Sequence, residues 1–115
     1  MTVYTCMIDL KQGAKALQFA AALGAWLSHL QGSGHIGPWR LYRRKLNLAA
    51  DAYRDFWLSI EVDSLAQLER AFHGTAESED AMDLHNRVHD MIAGADIALY
   101  RPYPDPAGAE RMALI

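Results

Sequence analysis

The chain has only one cysteine in 115 residues. It also shows neither the pattern of a secretory signal nor that of a membrane-spanning helix. Cys6 cannot form an intrachain disulfide, so nothing in the sequence requires an oxidising compartment. The first ten residues show no basic segment followed by an apolar run, which is how a secretory signal begins. The longest apolar stretch, residues 19–30, has about 12 residues, whereas a membrane-spanning helix needs about 18. We therefore expect a cytoplasmic protein without a membrane partner.

Positive charge is also scarce. Eleven Lys and Arg face fourteen Asp and Glu, which gives a net charge of -3. Because nucleic acids and anionic lipids attract basic surfaces, we expect no nucleic-acid partner. The sequence also lacks a glycine-rich phosphate loop, a serine nucleophile in a strained elbow and the paired-cysteine spacing of zinc sites. These absences predict no cofactor, and they leave the reaction, if there is one, unspecified.

What the chain does have is enough apolar content to fold. Hydrophobic residues make up 51% of it and charged residues 22%, and a folded chain of this size hides about two-thirds of its extended surface. We predict a single α+β domain over residues 1–103 and a proline-containing tail over residues 104–115. For residues 107–115, a short docked helix and a disordered segment are both open.

The spacing of apolar residues alternates between a period of two and a period of three to four, which separates strands from helices. A capping box at Ser64 and Gln67 marks the start of the second helix. Gly74 is expected to break or bend that helix, and Gly94 to end it. The predicted elements are strands at residues 1–10, 36–46, 55–63 and 95–101, a hairpin loop at 47–54, a helix at 14–30, and a helix from 64 that resumes at 79 and continues through 92.

The order strand, helix, strand, strand, helix, strand predicts a four-stranded antiparallel sheet with the helices on one face. The second and fourth strands would be its edges. The third strand places Phe56, Leu58, Ile60 and Val62 towards the helices. The opposite face would carry side chains too apolar for water beside others too polar to bury alone, so we expect something to cover it. Those side chains are Met7, Asp9, Trp57, Glu61 and Tyr100.

Element order, length and the half-apolar open face resemble the dimeric α+β barrel superfamily of ferredoxin-like proteins. The stretches WRLYRRKL at residues 39–46 and ALYR at 98–101 are also similar to small bacterial proteins of that superfamily without an assigned function. The resemblance implies a βαββαβ fold, a homodimer whose sheets pack face to face, and a cavity between sheet and helices. It implies chemistries such as oxygenation or isomerisation of aromatic or polyketide-like compounds, without choosing among them.

Four basic residues lie within six positions around Tyr42 and could hold an anionic ligand. In a strand, Arg40, Tyr42 and Arg44 share one face. Guanidinium groups bind carboxylate or phosphate at two points. The same charges could instead protect an edge strand and pair with Asp9 or Glu61 of this or a partner chain.

Two aromatic side chains of the open face, Trp57 and Tyr100, could stack on a flat ligand. Aromatic residues on a sheet face also fill interfaces and cores, so both interpretations stay open. The predicted ligand-binding residues are Arg40, Tyr42, Arg44, Trp57 and Tyr100.

His85 and His89 are four residues apart and lie on one helical face, which is the spacing of a two-histidine metal edge. No third ligand is fixed nearby, although Glu61 could supply one. The pair could equally be core histidines, or His85 could carry protons at a cavity wall near neutral pH. The catalytic candidates are therefore His85 and Glu61, and the metal candidates are His85 and His89.

Three functions of different classes follow from these patterns. The first is a homodimeric small-ligand binder or cofactor-independent enzyme, and the second is a non-catalytic structural or interaction module. The third is haem degradation, because some members of the superfamily use a strand-one Asn, a Trp and a helix His. This chain has Trp57 and His85 but no Asn in the first strand. The first hypothesis expects one cavity lined by Arg40, Tyr42, Arg44, Trp57, Glu61, His85 and Tyr100.

Overall fold

The predicted strands and helices form in the predicted order, with the second helical region divided in two. The computed structural model describes residues 1–46, 48 and 50–104. Its elements are β1 (Thr2–Leu10), α1 (Ala16–Gly32), β2 (Trp39–Arg43), β3 (Phe56–Val62), α2 (Leu65–Glu77), α3 (Glu79–His89) and β4 (Ile92–Tyr100).

The four strands form one antiparallel sheet in the order β2-β3-β1-β4. This order confirms the ferredoxin-like fold and the expectation that the second and fourth strands are edges. In the central pair, Cys6 lies opposite Leu58 and Met7 opposite Trp57. Directly paired residues point to the same side of a sheet, so the even-numbered residues of β1 face the helices and the odd-numbered ones face away.

The core lies between the sheet and the helices. On α1, Phe19, Leu23 and Leu27 recur every four residues, and none is more than 1% exposed. On β3, the four side chains predicted to face the helices are all buried, while Trp57 between them is exposed. The period-two and period-four patterns therefore meet in one apolar layer, which is the main stabilising contact of such a fold.

The second strand is shorter than predicted, because it starts only after Pro38. Proline cannot donate a hydrogen bond to a neighbouring strand, and here the Pro38 carbonyl accepts one from the Glu61 N–H at 2.9 Å. The Gly37 N–H donates to the Glu61 carbonyl at 2.8 Å. A Cβ at position 37 would lie 2.9 Å from that carbonyl oxygen, so this close approach requires glycine.

The second helical region breaks at Ser78, so the prediction of a break at Gly74 was wrong. Gly74 remains helical, while Ser78 has extended backbone angles and its hydroxyl accepts from the Ala81 N–H at 3.2 Å. A serine that caps the next helix ends the first one more effectively than a glycine whose N–H and C=O are already bonded. The predicted cap at Ser64 is confirmed by its 3.2 Å contact from the Gln67 N–H.

The prediction that Gly94 ends the helix was also wrong. The last helix ends at His89, and β4 already begins at Ile92, with Gly94 inside the strand opposite Asp9. The pairing of β1 with β4 shifts register between Asp9 and Leu10. Such a bulge hides the start of a strand from a strict period-two pattern.

Some predictions fall on residues that the structure does not describe. Most of the predicted tail, 105–115, lies outside the described residues, as do positions 47 and 49 of the predicted hairpin loop. The division into a domain over 1–103 and a tail therefore stays a prediction. Within the described residues, no helix combines the length and apolarity that crossing a bilayer requires.

Candidate functional site

The sheet separates two hollows, and the predicted site residues are divided between them. The open-face cleft lies on the side away from the helices and has a volume of about 790 Å³. The helix-side cavity lies between sheet and helices and has a volume of about 140 Å³. The prediction that seven residues line one cavity is therefore wrong for a single chain, because β-strand side chains alternate between faces. His85 lines the helix-side cavity, whereas Tyr42, Arg44, Trp57 and Tyr100 line the open-face cleft.

Two stacked aromatic rings lie on the open face, across the edge strand β2 and its neighbour β3. Tyr42 lies opposite Trp57 in the β2–β3 pair, and their ring centroids are 4.7 Å apart with 26° between the planes. Each residue is 41% exposed, and Tyr100 is 60% exposed. Aromatic surface of this extent is costly to leave in water, so the open face has the character of a contact surface.

The other predicted residues of the open face do not gather around this stack. Tyr100 pairs with Val3, whereas Trp57 pairs with Met7, four residues further along β1. That separation is about 13 Å along the strand. Arg40 and Glu61 also belong to this face by register, since Arg40 lies opposite Ser59 and Glu61 opposite Val3. The face therefore presents separate polar and aromatic positions instead of one binding cluster.

Arg44 is held by its own chain. Its guanidinium donates to the Asp55 carboxylate at 2.9 Å and to the Tyr53 carbonyl at 2.9 Å. The backbone N–H of Arg44 also donates to the backbone carbonyl of Asp55 at 2.8 Å. These contacts hold the segment between β2 and β3 in place, so the charge of Arg44 has a structural role.

Sequence reasoning missed the ion pairs of Arg54 at the end of the open face. The Arg54 guanidinium bonds Asp9 at 2.9 Å and Asp96 at 2.9 Å, and these hydrogen bonds raise its pKa. The Asp55 N–H donates to Asp9 at 3.0 Å. Asp9 was expected to need a partner, and its partner is Arg54 instead of the basic strand. The cluster joins β1 and β4 to the segment before β3.

The helix-side cavity is lined almost entirely by apolar side chains of all three helices and of the strands. Two of its lining residues, Ile97 of β4 and Phe72 of α2, are 60% and 48% exposed. The lining residues that carry polar side-chain atoms are Tyr4, Cys6, Trp26, His85 and His89. A small number of polar groups in an apolar hollow is typical of small-molecule sites.

One of those residues carries a buried donor without a partner within the described residues. Trp26 is 9% exposed, and its indole Nε1 makes no hydrogen bond within the described residues. Leaving a buried donor unsatisfied costs about 1–3 kcal/mol. The sequence placed Trp26 only in the apolar stripe of the first helix. The signal that could have found it is that a buried tryptophan needs an acceptor for its N–H.

The two histidines stand beside this indole as a contacting pair. The ring centroids of Trp26 and His85 are 5.0 Å apart, and those of His85 and His89 are 4.1 Å apart. His85 Nδ1 lies 3.3 Å from Asn86 Oδ1. In the tautomer for which this contact is a hydrogen bond, Nδ1 donates to the amide oxygen and Nε2 carries the lone pair. The prediction of a histidine at a cavity wall thus agrees with this placement.

His89 gives stability a dependence on pH. Partial burial lowers its pKa, the neighbouring His85 lowers it further, and Asp90 raises it. In the unfolded chain the pKa is about 6.5, so below that pH the unfolded state takes up a proton that the folded state resists. The contribution of His89 to the unfolding free energy is fully present above about pH 6.5. It is lost as the pH falls through the lower pKa that His89 has in the folded state.

We therefore expect His89→Gln to reduce the loss of stability on acidification. Urea unfolding at about pH 7.5 and about pH 5.5 measures this loss as a difference in unfolding free energy. His29→Gln, on the exposed face of α1, is the control and should keep the wild-type difference. Equal differences in all three proteins would contradict the assignment to His89.

The two titratable side chains that β1 contributes to the cavity lining, Tyr4 and Cys6, are both protonated at neutral pH. Burial raises the pKa of Tyr4 to about 12, and burial followed by the charge of Asp96 raises that of Cys6 to about 11. A thiol in this state is a poor nucleophile. Tyr4 and Cys6 can therefore donate hydrogen bonds, but neither is prepared to attack a substrate.

Neither a metal site nor the haem arrangement forms among the described residues. That part of the chain contains no group of three or more His, Cys, Asp or Glu that could hold a metal ion. Trp57 and His85, the two residues in common with haem-degrading proteins, lie on opposite sides of the sheet. They cannot contact one haem within a single chain.

Comparison with known families settles the membership of the chain. Residues 1–115 match a family of unknown function, DUF6614. The protein belongs to DUF6614. No curated protein matches the DUF6614 chain in sequence.

Solved structures similar to this DUF6614 chain share its fold at low identity. A protein from Arabidopsis thaliana has a TM-score of 0.72 and 6% identity, covering 91% of this chain and 98% of its own. A dimeric ferredoxin-like protein of unknown function from Thermobifida fusca has a TM-score of 0.58 and 17% identity, covering 88% and 90%. A cofactor-independent oxygenase from Streptomyces nogalater has a TM-score of 0.67 and 7% identity, covering 91% and 95%. The DUF6614 chain thus has the fold of the dimeric α+β barrel proteins.

Proposed function

We propose that the protein is a homodimer that binds a small, mainly apolar ligand in the helix-side cavity of each chain. The observation that carries this proposal is the cavity itself, an apolar hollow whose lining includes a few residues with polar side-chain atoms. Fully packed interiors leave few voids larger than a water molecule. A hollow of this size is better explained by a ligand than by imperfect packing.

The volume limits the ligand to about one ring. An engineered apolar cavity of roughly 150 Å³ binds benzene, and the helix-side cavity measures about 140 Å³. A porphyrin is several times larger than benzene, so the size argues against the haem hypothesis as well. Toluene is therefore a suitable probe of the cavity.

The open face supports the homodimer in the proposal. Its exposed aromatic side chains are of types enriched in protein interfaces: the stacked pair Tyr42 and Trp57, and Tyr100 further along the face. The Thermobifida fusca protein of the same fold is described as dimeric. We assign these side chains to a sheet-to-sheet contact between two copies, which would remove them from water. In this proposal the residues predicted to bind a ligand serve dimer formation and local structure instead. They are Arg40, Tyr42, Arg44, Trp57 and Tyr100.

The described chemistry of one structural neighbour is compatible with a cavity of this kind. The Streptomyces nogalater protein is a cofactor-independent oxygenase. At 7% identity that likeness concerns the fold, so our proposal is limited to ligand binding, with His85 as the group able to accept a proton if the ligand is converted. Glu61 lies on the other face and is left out of the proposed site.

We expect Ala95→Leu to weaken toluene binding at least tenfold. Ala95 lies opposite Ile8 on the helix-facing side of β4 and lines the cavity, so a larger side chain would occupy part of the space. Ala95 is exposed, which lets the strand accept leucine with little loss of stability. NMR titration of the wild type and the variant with toluene measures the two affinities.

Ala93→Leu is the matched control for this experiment. Ala93 is an exposed residue of the same strand and is not among the residues that line the helix-side cavity. The control should bind toluene like the wild type. If wild type and Ala95→Leu bound toluene equally, or if the wild type bound none, the helix-side cavity would not be the ligand site.

A further inference from the structure

We propose that residues 107–115 bind an exposed apolar patch on the helix-facing side of β4 in their own chain. This surface, the β4 patch, consists of Tyr4, Phe72, Ile97 and Leu99. The inference does not rest on the proposed ligand. It goes beyond the proposed function by assigning a second interaction surface and its occupant.

The β4 patch is continuous across two strands and one helix. In the β1–β4 pair, Tyr4 lies opposite Leu99 and Cys6 lies opposite Ile97. Because paired residues point to the same side of a sheet and Tyr4 and Cys6 face the helices, Ile97 and Leu99 face that side as well. The ring of Phe72, on α2, meets the ring of Tyr4 edge-on, with 6.0 Å between their centroids. The four side chains therefore form one apolar surface.

The helices cover the middle of the sheet but leave the β4 patch exposed. Leu58 and Ile60 of β3, on the same side of the sheet, are 4% and 6% exposed. In contrast, Ile97, Leu99 and Phe72 are 60%, 49% and 48% exposed. Contiguous apolar surface on a folded chain marks a place where another segment or molecule binds.

The residues that follow β4 have the composition that this surface requires. Residues 112–115 are Met, Ala, Leu and Ile, all of them apolar. The charged residues within 107–115 are Glu110 and Arg111, whose charges have opposite signs. The segment therefore brings apolar side chains to an apolar surface without a net side-chain charge that would oppose its binding.

The segment is attached close to the β4 patch and is long enough to cover it. The strand ends at Tyr100, next to Leu99, and Ile97 lies only about 7 Å further back along the strand. Residues 105–115 can span up to about 36 Å when extended. A segment on a short tether has an effective concentration in the millimolar range. This attachment favours the segment over a second copy of the chain at micromolar concentration.

Trypsin cleavage after Arg111 tests this binding in the full chain. A protease cleaves a bound segment only while the segment is detached. A synthetic peptide of residues 105–115 gives the cleavage rate without binding. We expect the bond between Arg111 and Met112 to be cleaved at least about tenfold more slowly in the protein than in the peptide. Mass spectrometry measures the loss of residues 112–115.

Ile97→Asp should remove this protection, because it places a charge in the middle of the β4 patch. Ile97 is exposed, so the fold tolerates the change. Leu17→Asp is the matched control, since it adds the same charge to an apolar side chain that is 86% exposed on α1. The control should be cleaved at the wild-type rate.

Leu114→Ser tests the other side of the contact and leaves the domain unchanged. It removes an apolar side chain from the segment, so cleavage should approach the rate of a peptide that carries the same substitution. This variant keeps the inference testable if Ile97→Asp fails to fold.

Protection should stay the same when the wild type is diluted about 100-fold, because binding within one chain does not depend on concentration. Protection that disappeared on dilution would assign the β4 patch to a segment of a second copy and overturn the inference. Cleavage of the wild type at the peptide rate would show that the segment is not bound, and would also overturn it. Equal protection in the wild type, Ile97→Asp and Leu114→Ser would place the segment elsewhere.

Discussion

Replacing Trp57 by glutamate is expected to convert the proposed dimer into monomers. Trp57 is 41% exposed in the single chain and stacks on Tyr42 on the open face. Buried interface tryptophans often contribute more than 2 kcal/mol to binding. Glutamate would remove that contact and place a charge in each half of the proposed interface, where taking it out of water costs free energy.

The expected effect is a dissociation constant raised at least about 100-fold, or about 2.7 kcal/mol. Light scattering during gel filtration measures it, with the wild type at twice the mass of one chain and Trp57→Glu at the mass of one chain over the micromolar range. Circular dichroism should show that the variant keeps its secondary structure, because the open face is not part of the core.

Leu17→Glu is the matched control. Leu17 is 86% exposed on α1, so the same charge is added to an exposed apolar position on the other side of the molecule. This variant should remain a dimer. If Leu17→Glu became monomeric while Trp57→Glu remained dimeric, the interface would involve the helices, and the open face would need another occupant.

The fold was predictable because its information is local. The alternation of Phe56, Leu58 and Ile60 with Trp57 gives both the strand and its two faces. Phe19, Leu23 and Leu27 give the helix and its buried side. Errors arose where a nearby feature competed with the pattern, as when Ser78 capped a new helix beyond the glycine that was expected to end the old one.

The candidate site was less predictable because its contacts join distant parts of the chain. Arg54 meets Asp9 and Asp96, which are 45 and 42 residues away. Trp26 meets His85 across two helices. Residue types and spacing identify His85 as a possible cavity residue, but only the packing of α1 against α3 shows which indole lies beside it. The basic residues of the second strand were conspicuous in sequence, yet Arg44 proves to be held by Asp55 and Tyr53.

Replacing Leu27 by alanine is expected to reduce the unfolding free energy by about 2–5 kcal/mol. Leu27 is fully buried on α1 and lines the helix-side cavity. The substitution removes apolar contacts and enlarges a hollow that is already present, so the surrounding side chains have little tendency to close the gap. Urea unfolding gives the difference, and Leu17→Ala on the exposed side of α1 should change stability by less than about 0.5 kcal/mol.

The enlarged cavity connects this stability change to the proposed function. A ligand that binds only the folded state stabilises it in proportion to the logarithm of its concentration over its dissociation constant. A two-ring compound such as naphthalene should therefore raise the melting temperature of Leu27→Ala and have little effect on the wild type, whose cavity holds about one ring. If naphthalene stabilised neither protein although Leu27→Ala was destabilised as expected, the space around Leu27 would have collapsed on truncation. The helix-side cavity would then be too pliable for its volume to select a ligand by size.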